Sequence, residues 1–316
     1  MIFCQLENPM QYRHALGALA VLTAAMTGSA AFAQSNVTLY GIADAAMGKV
    51  AGGKFGMISG SGLMANTPSR VGVRGTEDLG GGLKAGFQLE TGINLKDGAQ
   101  QSIGPTFWGR QSHMWLAGGW GTFDMGRTFA PTFSAISAWE LTSMANYSPV
   151  RKTYADIGAS RNSNQFSYST PNFSGLSATG GYILKNDNGG KAKWDINVIY
   201  RQGPLTASLG VNKQQTEKTG YVVGGRYNFG NYALVASYSD NHGKRAGLSI
   251  GGQMRMNAWT LTADLVRDTK NNAGPKKYTN ALLEAKYALS KRTFMYAAYL
   301  RLDGGNNYGL GLRHNF

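Results

Sequence analysis

The feature that most constrains this chain is the period of its apolar residues. Beyond residue 33 they recur at every second position in short runs. None of these runs approaches the roughly 18 uninterrupted apolar residues that a spanning helix needs. Trp194, Ile196, Val198 and Tyr200 alternate with Lys193, Asp195, Asn197 and Arg201. Leu205, Ala207, Leu209 and Val211 alternate with Thr206, Ser208, Gly210 and Asn212, and Leu83, Ala85, Phe87 and Leu89 with Lys84, Gln88 and Glu90. Side chains of an extended strand point to opposite faces in turn, so this pattern predicts strands with one apolar and one polar face.

Turn signals divide the chain at regular intervals. Tight ones stand at Gly80-Gly81-Gly82, Gly118-Gly119-Trp120-Gly121, Gly203-Pro204, Gly230-Asn231, Asn257-Ala258 and Ser290-Lys291-Arg292, with longer polar connections between them. Sixteen strands are expected, starting near Val37, Arg70, Leu83, Arg110, Thr122, Gln165, Leu176, Lys193, Leu205, Gly220, Tyr232, Ala246, Trp259, Thr279, Thr293 and Tyr308. Alternating short and long turns suit a 16-stranded antiparallel transmembrane β-barrel, with short turns on the periplasmic side and long loops outside. That strand number leaves an aqueous lumen, whereas about eight strands would be filled by side chains. A soluble β-sandwich needs a dry core, and these polar faces carry too many Arg, Lys, Asp and Gln. Aromatics near strand ends, among them Tyr40, Trp120, Tyr221, Tyr227 and Trp259, suggest girdles at the two headgroup levels.

Composition agrees. Asp, Glu, Lys and Arg make up 15% of the residues, against about 25% in soluble domains. Arg13 and His14 precede an apolar stretch that ends Ala31-Phe32-Ala33, a secretory leader with its cleavage signal. Residues 1–33 are therefore expected to be removed, leaving 34–316 as one barrel; a retained anchor is disfavoured by the small residues and the cleavage signal. The single cysteine, Cys4, lies in the leader, so disulfide and thiolate chemistry are excluded from the remainder. The leader carries one acid and one base, Glu7 and Arg13, so the formal charge of +14 is unchanged by its loss. A secreted chain this basic is expected to meet anionic solutes or anionic lipid rather than nucleic acid.

One connection differs from the others. Residues 128–160 are long and irregular, rich in Ser, Thr, Ala and Phe. A structureless segment of that length is unusual unless functional. In a barrel it belongs folded into the lumen as a constriction, the alternative being an extracellular lid.

Several motifs then coincide: QSNVTLYGIAD at 34–44, SRVGVRGTEDLGGGLKAGFQLE at 69–90, Gly109-Arg110-Gln111, Gly126-Arg127, YSTPNF at 168–173 and the terminal GLRHNF at 311–316. Together these closely resemble the general diffusion porins of Gram-negative bacteria, in their beta-proteobacterial and Neisserial branch. The resemblance covers essentially all of 34–316. It implies a homotrimer in the outer membrane, one pore per subunit, a third loop folded inward, and a basic cluster on the wall at the eyelet. By motif position that cluster maps to Arg70, Arg110 and Arg161, with Arg74 on the face of Arg70 by parity. Glu140 and Asp156, the only carboxylates of the inward loop, are the expected acidic counterpart. Terminal Phe316 is, by the same resemblance, the barrel-assembly signal.

The expected activity is passive diffusion of small hydrophilic solutes and ions, with anions preferred, since fixed charge at the narrowest point sets selectivity. Outer-membrane lipid, lipopolysaccharide and small anions are the expected partners; no cofactor or metal is expected. The remaining histidines, His113, His242 and His314, have no metal-site spacing. A barrel enzyme and a surface adhesin are the alternatives. For the adhesin, loop cations such as Lys213, Lys218, Lys244, Arg245, Lys276 and Lys277 would meet lipopolysaccharide phosphates or a host surface.

Overall fold

The computed structural model describes residues 36–101 and 106–316. The expected leader, with its cleavage after Ala33, lies outside the described residues. The first strands are β1 (Asn36–Lys49), β2 (Gly56–Ser59), β3 (Arg70–Gly80), β4 (Leu83–Gly92), β5 (Gln111–Gly118) and β6 (Gly121–Phe129). Two short helices follow, α1 (Pro131–Trp139) and α2 (Pro149–Thr153). Next come β7 (Arg161–Ser169), β8 (Leu176–Ile183), β9 (Lys193–Gln202), β10 (Leu205–Gln214), β11 (Gly220–Phe229) and β12 (Tyr232–Asn241). The last are β13 (Arg245–Met256), β14 (Trp259–Asn271), β15 (Thr279–Ala288), β16 (Thr293–Leu302) and β17 (Gly305–Asn315).

All strands but β2 pair antiparallel with both neighbours, and β17 returns to β1, so sixteen strands close the wall. β2 is a spur that pairs only with the rim half of β1. Closure leaves the sixteen strands of the wall without a free edge to recruit another chain. The pleat sorts the residues as the sequence implies. Leu209, Val223, Ile250 and Leu283 are 44%, 48%, 63% and 60% exposed, whereas Ser208, Ser249, Asp264 and Glu284 are exposed by 6% or less. Apolar outside and polar inside is the inverse of a soluble sandwich. Aromatic pairs mark both rims: Tyr221 against Tyr238 at the long-loop end, Trp120 against Tyr168 and Trp259 against Tyr287 at the short-turn end. Gly80, Gly81 and Gly82 hold φ of +83°, +60° and +82°, three left-handed residues in a row that only glycine takes without strain.

Two strand starts differ from expectation. β7 begins at Arg161 rather than Gln165, because the register slips between Gly126 and Thr128 and Asn164 takes a φ of +53°. Such a bulge interrupts the alternation that sequence reading relies on. β17 begins at Gly305, reached through a tight turn at Asp303-Gly304.

The segment between β6 and β7 packs on the inner face of the wall. Its helix α1 lies against β9, β10 and β11. Ala130, at its N-cap, offers no side-chain acceptor. The wall supplies one instead: Thr132 donates to Asp195 from its backbone N–H at 2.8 Å and its hydroxyl at 3.1 Å. Fully buried Trp139 donates its ring N–H to Ser208 at 3.0 Å. Gly224 makes room for it, since a Cβ there would stand 2.4 Å from the indole. Farther along, Asn212 holds the carbonyl of Ile157 at 2.8 Å, Asn280 holds Thr153 at 2.8 Å, and Tyr147 donates to Glu284 at 2.7 Å. The segment is thus tied to the wall on both sides of the lumen.

The C-terminus completes the seam. Phe316 exchanges two backbone hydrogen bonds of 3.0 Å with Gly41, and its ring occupies the space that a Cβ of Gly41 would take. Deleting Phe316 is expected to lower the outer-membrane yield of heat-modifiable barrel far more than deleting Gly274 from an exposed loop. Equal yields would refute a role for the terminal aromatic in assembly.

Candidate functional site

On the inner face of the wall, residues of the segment between β6 and β7 meet residues of β3, β7 and β9 and Arg110, just before β5. A cavity of about 310 Å³ there is lined by five arginines, Arg70, Arg110, Arg151, Arg161 and Arg201, with Phe129, Phe133 and Ser134 among its other walls. Three stand where strands meet the long loops: Arg70 opens β3, Arg110 immediately precedes β5, and Arg161 opens β7. Arg201 comes from the inward parity of β9, and Arg151 from α2 on the opposite side.

Carboxylates are fewer. Glu90 lies between two of the arginines, with Oε1 2.7 Å from Nε of Arg110 and Oε2 3.4 Å from Nε of Arg70. Tyr40 also donates to Glu90, at 3.1 Å, so the acid acts as a strut for the cluster. Arg70 is fixed further by Thr67 Oγ1 at 3.1 Å and by the carbonyl of Pro68 at 3.3 Å. Asp156 receives Nε of Arg151 at 2.9 and 3.2 Å. Burial holds the Asp156 carboxyl above its ordinary range, partly offset by Arg151. Among the described residues Arg161 has no carboxylate partner; its guanidinium sits 4.5 Å from the centre of the Phe129 ring. Five guanidinium groups thus meet two carboxylates, an excess of three positive charges at one level of the pore. Arginine suits this setting, because it stays protonated and is weakly hydrated.

The expected site residues divide. Arg70, Arg110 and Arg161 come together on one cavity. Arg74 does not join them: it lies four residues farther along the face of Arg70, about 13 Å toward the short-turn end, exposed and over the ring of Tyr40 at 5.1 Å. Glu140, expected as an acidic counterpart, is buried and turned into its own loop. It accepts from the N–H of Thr142 at 2.9 Å and of Met144 at 2.7 Å. The loop reverses there through Ser143 and Met144, both at positive φ, and leaves backbone donors that need an acceptor. Asp156 is engaged with Arg151 rather than set against the wall arginines. Glu90, Arg151 and Arg201 were missed as members. Parity flagged Arg201 as a polar-face residue, but no local signal marks Arg151. Among the described residues no cluster of three His, Cys, Asp or Glu could hold a metal ion.

Comparison with known proteins follows the same lines. Residues 18–307 match the family described as Gram-negative porin. Outer membrane porin protein 32 of Delftia acidovorans is 34% identical, over 94% of this chain and 92% of its own length. An outer membrane porin protein of Bordetella pertussis is 29% identical, over 94% of this chain and 98% of its own length. Among solved structures, an anion-selective porin from Comamonas acidovorans aligns with a TM-score of 0.73 at 29% identity, covering 90% of this chain and 100% of that one.

Proposed function

Because this chain belongs to the Gram-negative porin family, and so forms a passive channel across the outer membrane, we propose that its pore prefers anions and that Arg70, Arg110 and Arg161 set the preference. The observation that carries this reading is the excess of three positive charges around the narrow cavity. Low-dielectric walls focus the field of such a cluster on a passing ion. Charges spaced within about one Debye length, roughly 8 Å at physiological salt, are not fully screened there. The similarity to a porin described as anion-selective supports the same reading.

The pore lowers no chemical barrier. Its groups attract, orient and release hydrated solutes, which needs neither nucleophile nor cofactor, and the chain is no enzyme. It works as a homotrimer with one channel per subunit, embedded in outer-membrane lipid and lipopolysaccharide. The test is the reversal potential of the purified protein in a planar bilayer under a tenfold potassium chloride gradient. Its sign should report chloride as the more permeant ion; a cation-selective sign would overturn the reading.

A further inference from the structure

One wall of the arginine cavity is aromatic. Phe129 ends β6, Phe133 stands in the first turn of α1, and both line the cavity. Their rings stack with centroids 5.2 Å apart and planes within 9° of parallel. Guanidinium groups flank the pair: Arg161 lies 4.5 Å from the centre of the Phe129 ring, and Arg151 lies 5.5 Å from that of Phe133. Packing seats Phe133, which is 7% exposed, but leaves Phe129 37% exposed beside the cavity. Ile199, on β9, continues the apolar wall. The guanidinium groups alone serve a small inorganic anion, and a bare phenyl beside them adds nothing to its binding.

Arg161 is the wall arginine that the protein satisfies least. Arg70 and Arg110 share Glu90, and Arg151 holds Asp156. Among the described residues no carboxylate pairs with Arg161, and its Nε is buried without a hydrogen-bond partner. A carboxylate supplies what this group lacks, two oxygens that match two parallel N–H groups.

We propose that the cavity is a binding station for planar aromatic monocarboxylates, with the carboxylate on Arg161 and the ring against Phe129, Phe133 and Ile199. Aromatic rings pair edge to face or offset, and the exposed part of Phe129 is where a second ring can do so. Size agrees. Pockets for small molecules begin at about 300 Å³, and an apolar cavity of about 150 Å³ suffices for benzene; this one has about 310 Å³. Other occupants use half of the site: a dicarboxylate has no ring for the phenyl wall, and an uncharged arene leaves the cations uncompensated. The proposal deepens the anion reading and rests on the same cluster.

The experiment measures block of the potassium chloride current through the purified protein in planar bilayers by benzoate and by cyclohexanecarboxylate, at about pH 8, where both are ionised. The two acids match in charge and carbon skeleton, and only benzoate has a π face. Benzoate is expected to block saturably, at a concentration about threefold to tenfold lower than cyclohexanecarboxylate, the worth of one aromatic pair. Phe129→Leu should abolish that advantage, whereas Phe173→Leu, in an exposed turn, should keep it. Arg161→Gln should weaken block by both acids and leave their ratio in place. The two acids on the native protein need no substitution, so that arm decides the matter even if a variant fails to fold. Equal blocking concentrations there would overturn the proposal, as would a benzoate advantage that survives Phe129→Leu. The reversal potential of the same bilayers tests the ion preference separately. Chloride preference with equal block would sink the station and spare the preference, and a cation-selective sign with the benzoate advantage intact would do the reverse.

Discussion

Replacing Arg70 and Arg110 together by glutamine shifts the reversal potential strongly toward cations, whereas replacing Lys276 and Lys277, equal in charge, shifts it little. The difference is one of distance and surroundings. A unit charge about 8 Å from an ion, in water, is worth roughly 0.5 kcal/mol, and more beside a low-dielectric wall. Two such charges change ion partitioning about fivefold or more, since about 1.4 kcal/mol is a factor of ten. The double replacement lowers the local excess from three positive charges to one. Loop lysines act through mobile salt and high dielectric, and their influence fades beyond about 8 Å. The same variants yield an ordering. Adding Glu90→Gln to the double replacement removes the strut's negative charge and should recover part of the lost anion preference. It also removes the penalty of a buried acid left without its two partners. Every shift should shrink in molar salt, where screening falls to roughly 3 Å. If the lysine pair matters as much as the arginine pair, selectivity is set in the vestibule and the cluster is misassigned.

The wall was legible in the sequence and the interior was not, for one reason. Period-two alternation is a local property, so each strand's outward set, such as Leu205, Leu209 and Val211, can be read without knowing its neighbours. Glu90 is different. Its parity was visible, but its place between Arg70 and Arg110 depends on the register of β3, β4 and β5. Arg70, which opens a strand at the long-loop rim, can be placed on the cluster from the strand boundary alone, whereas Arg161 was reached by motif position, because the bulge near Asn164 hides the start of β7. Arg151 cannot be so placed, because its segment has no period to read. Helix α1 was invisible for a related reason. Nearly all of its residues are buried, among them Phe133, Ala135, Ile136, Ala138 and Trp139. A helix buried all round shows no amphipathic stripe. Four-residue β2 escaped because it exists only as an addition to the rim of β1.

The inward segment should be separable from the wall it lines, and Trp139 is the place to separate it. The indole is fully buried among the residues that seat α1, and it donates to Ser208 at 3.0 Å. Replacing a buried Trp by Ala costs about 3–5 kcal/mol, through lost burial and the void left behind. None of the barrel's backbone ladders runs through this residue, so Trp139→Ala should leave a heat-modifiable barrel with a loosened constriction. The expected record is larger single-channel conductance, more current noise and weaker anion preference, because Arg151 no longer stands opposite Arg70 and Arg161. Trp139→Phe separates packing from polarity. It keeps most of the ring and loses only the N–H bond to Ser208, worth about 0.5–1.5 kcal/mol, so its effect should be the smaller one. The reverse change, Gly224→Val, places a side chain where the indole sits and should act like Trp139→Ala. Native conductance and noise in both Trp139→Ala and Gly224→Val would mean that this packing does not hold the constriction. The narrow cavity would then owe its width to the other ties between segment and wall, among them those at Asp195, Asn212, Asn280 and Glu284.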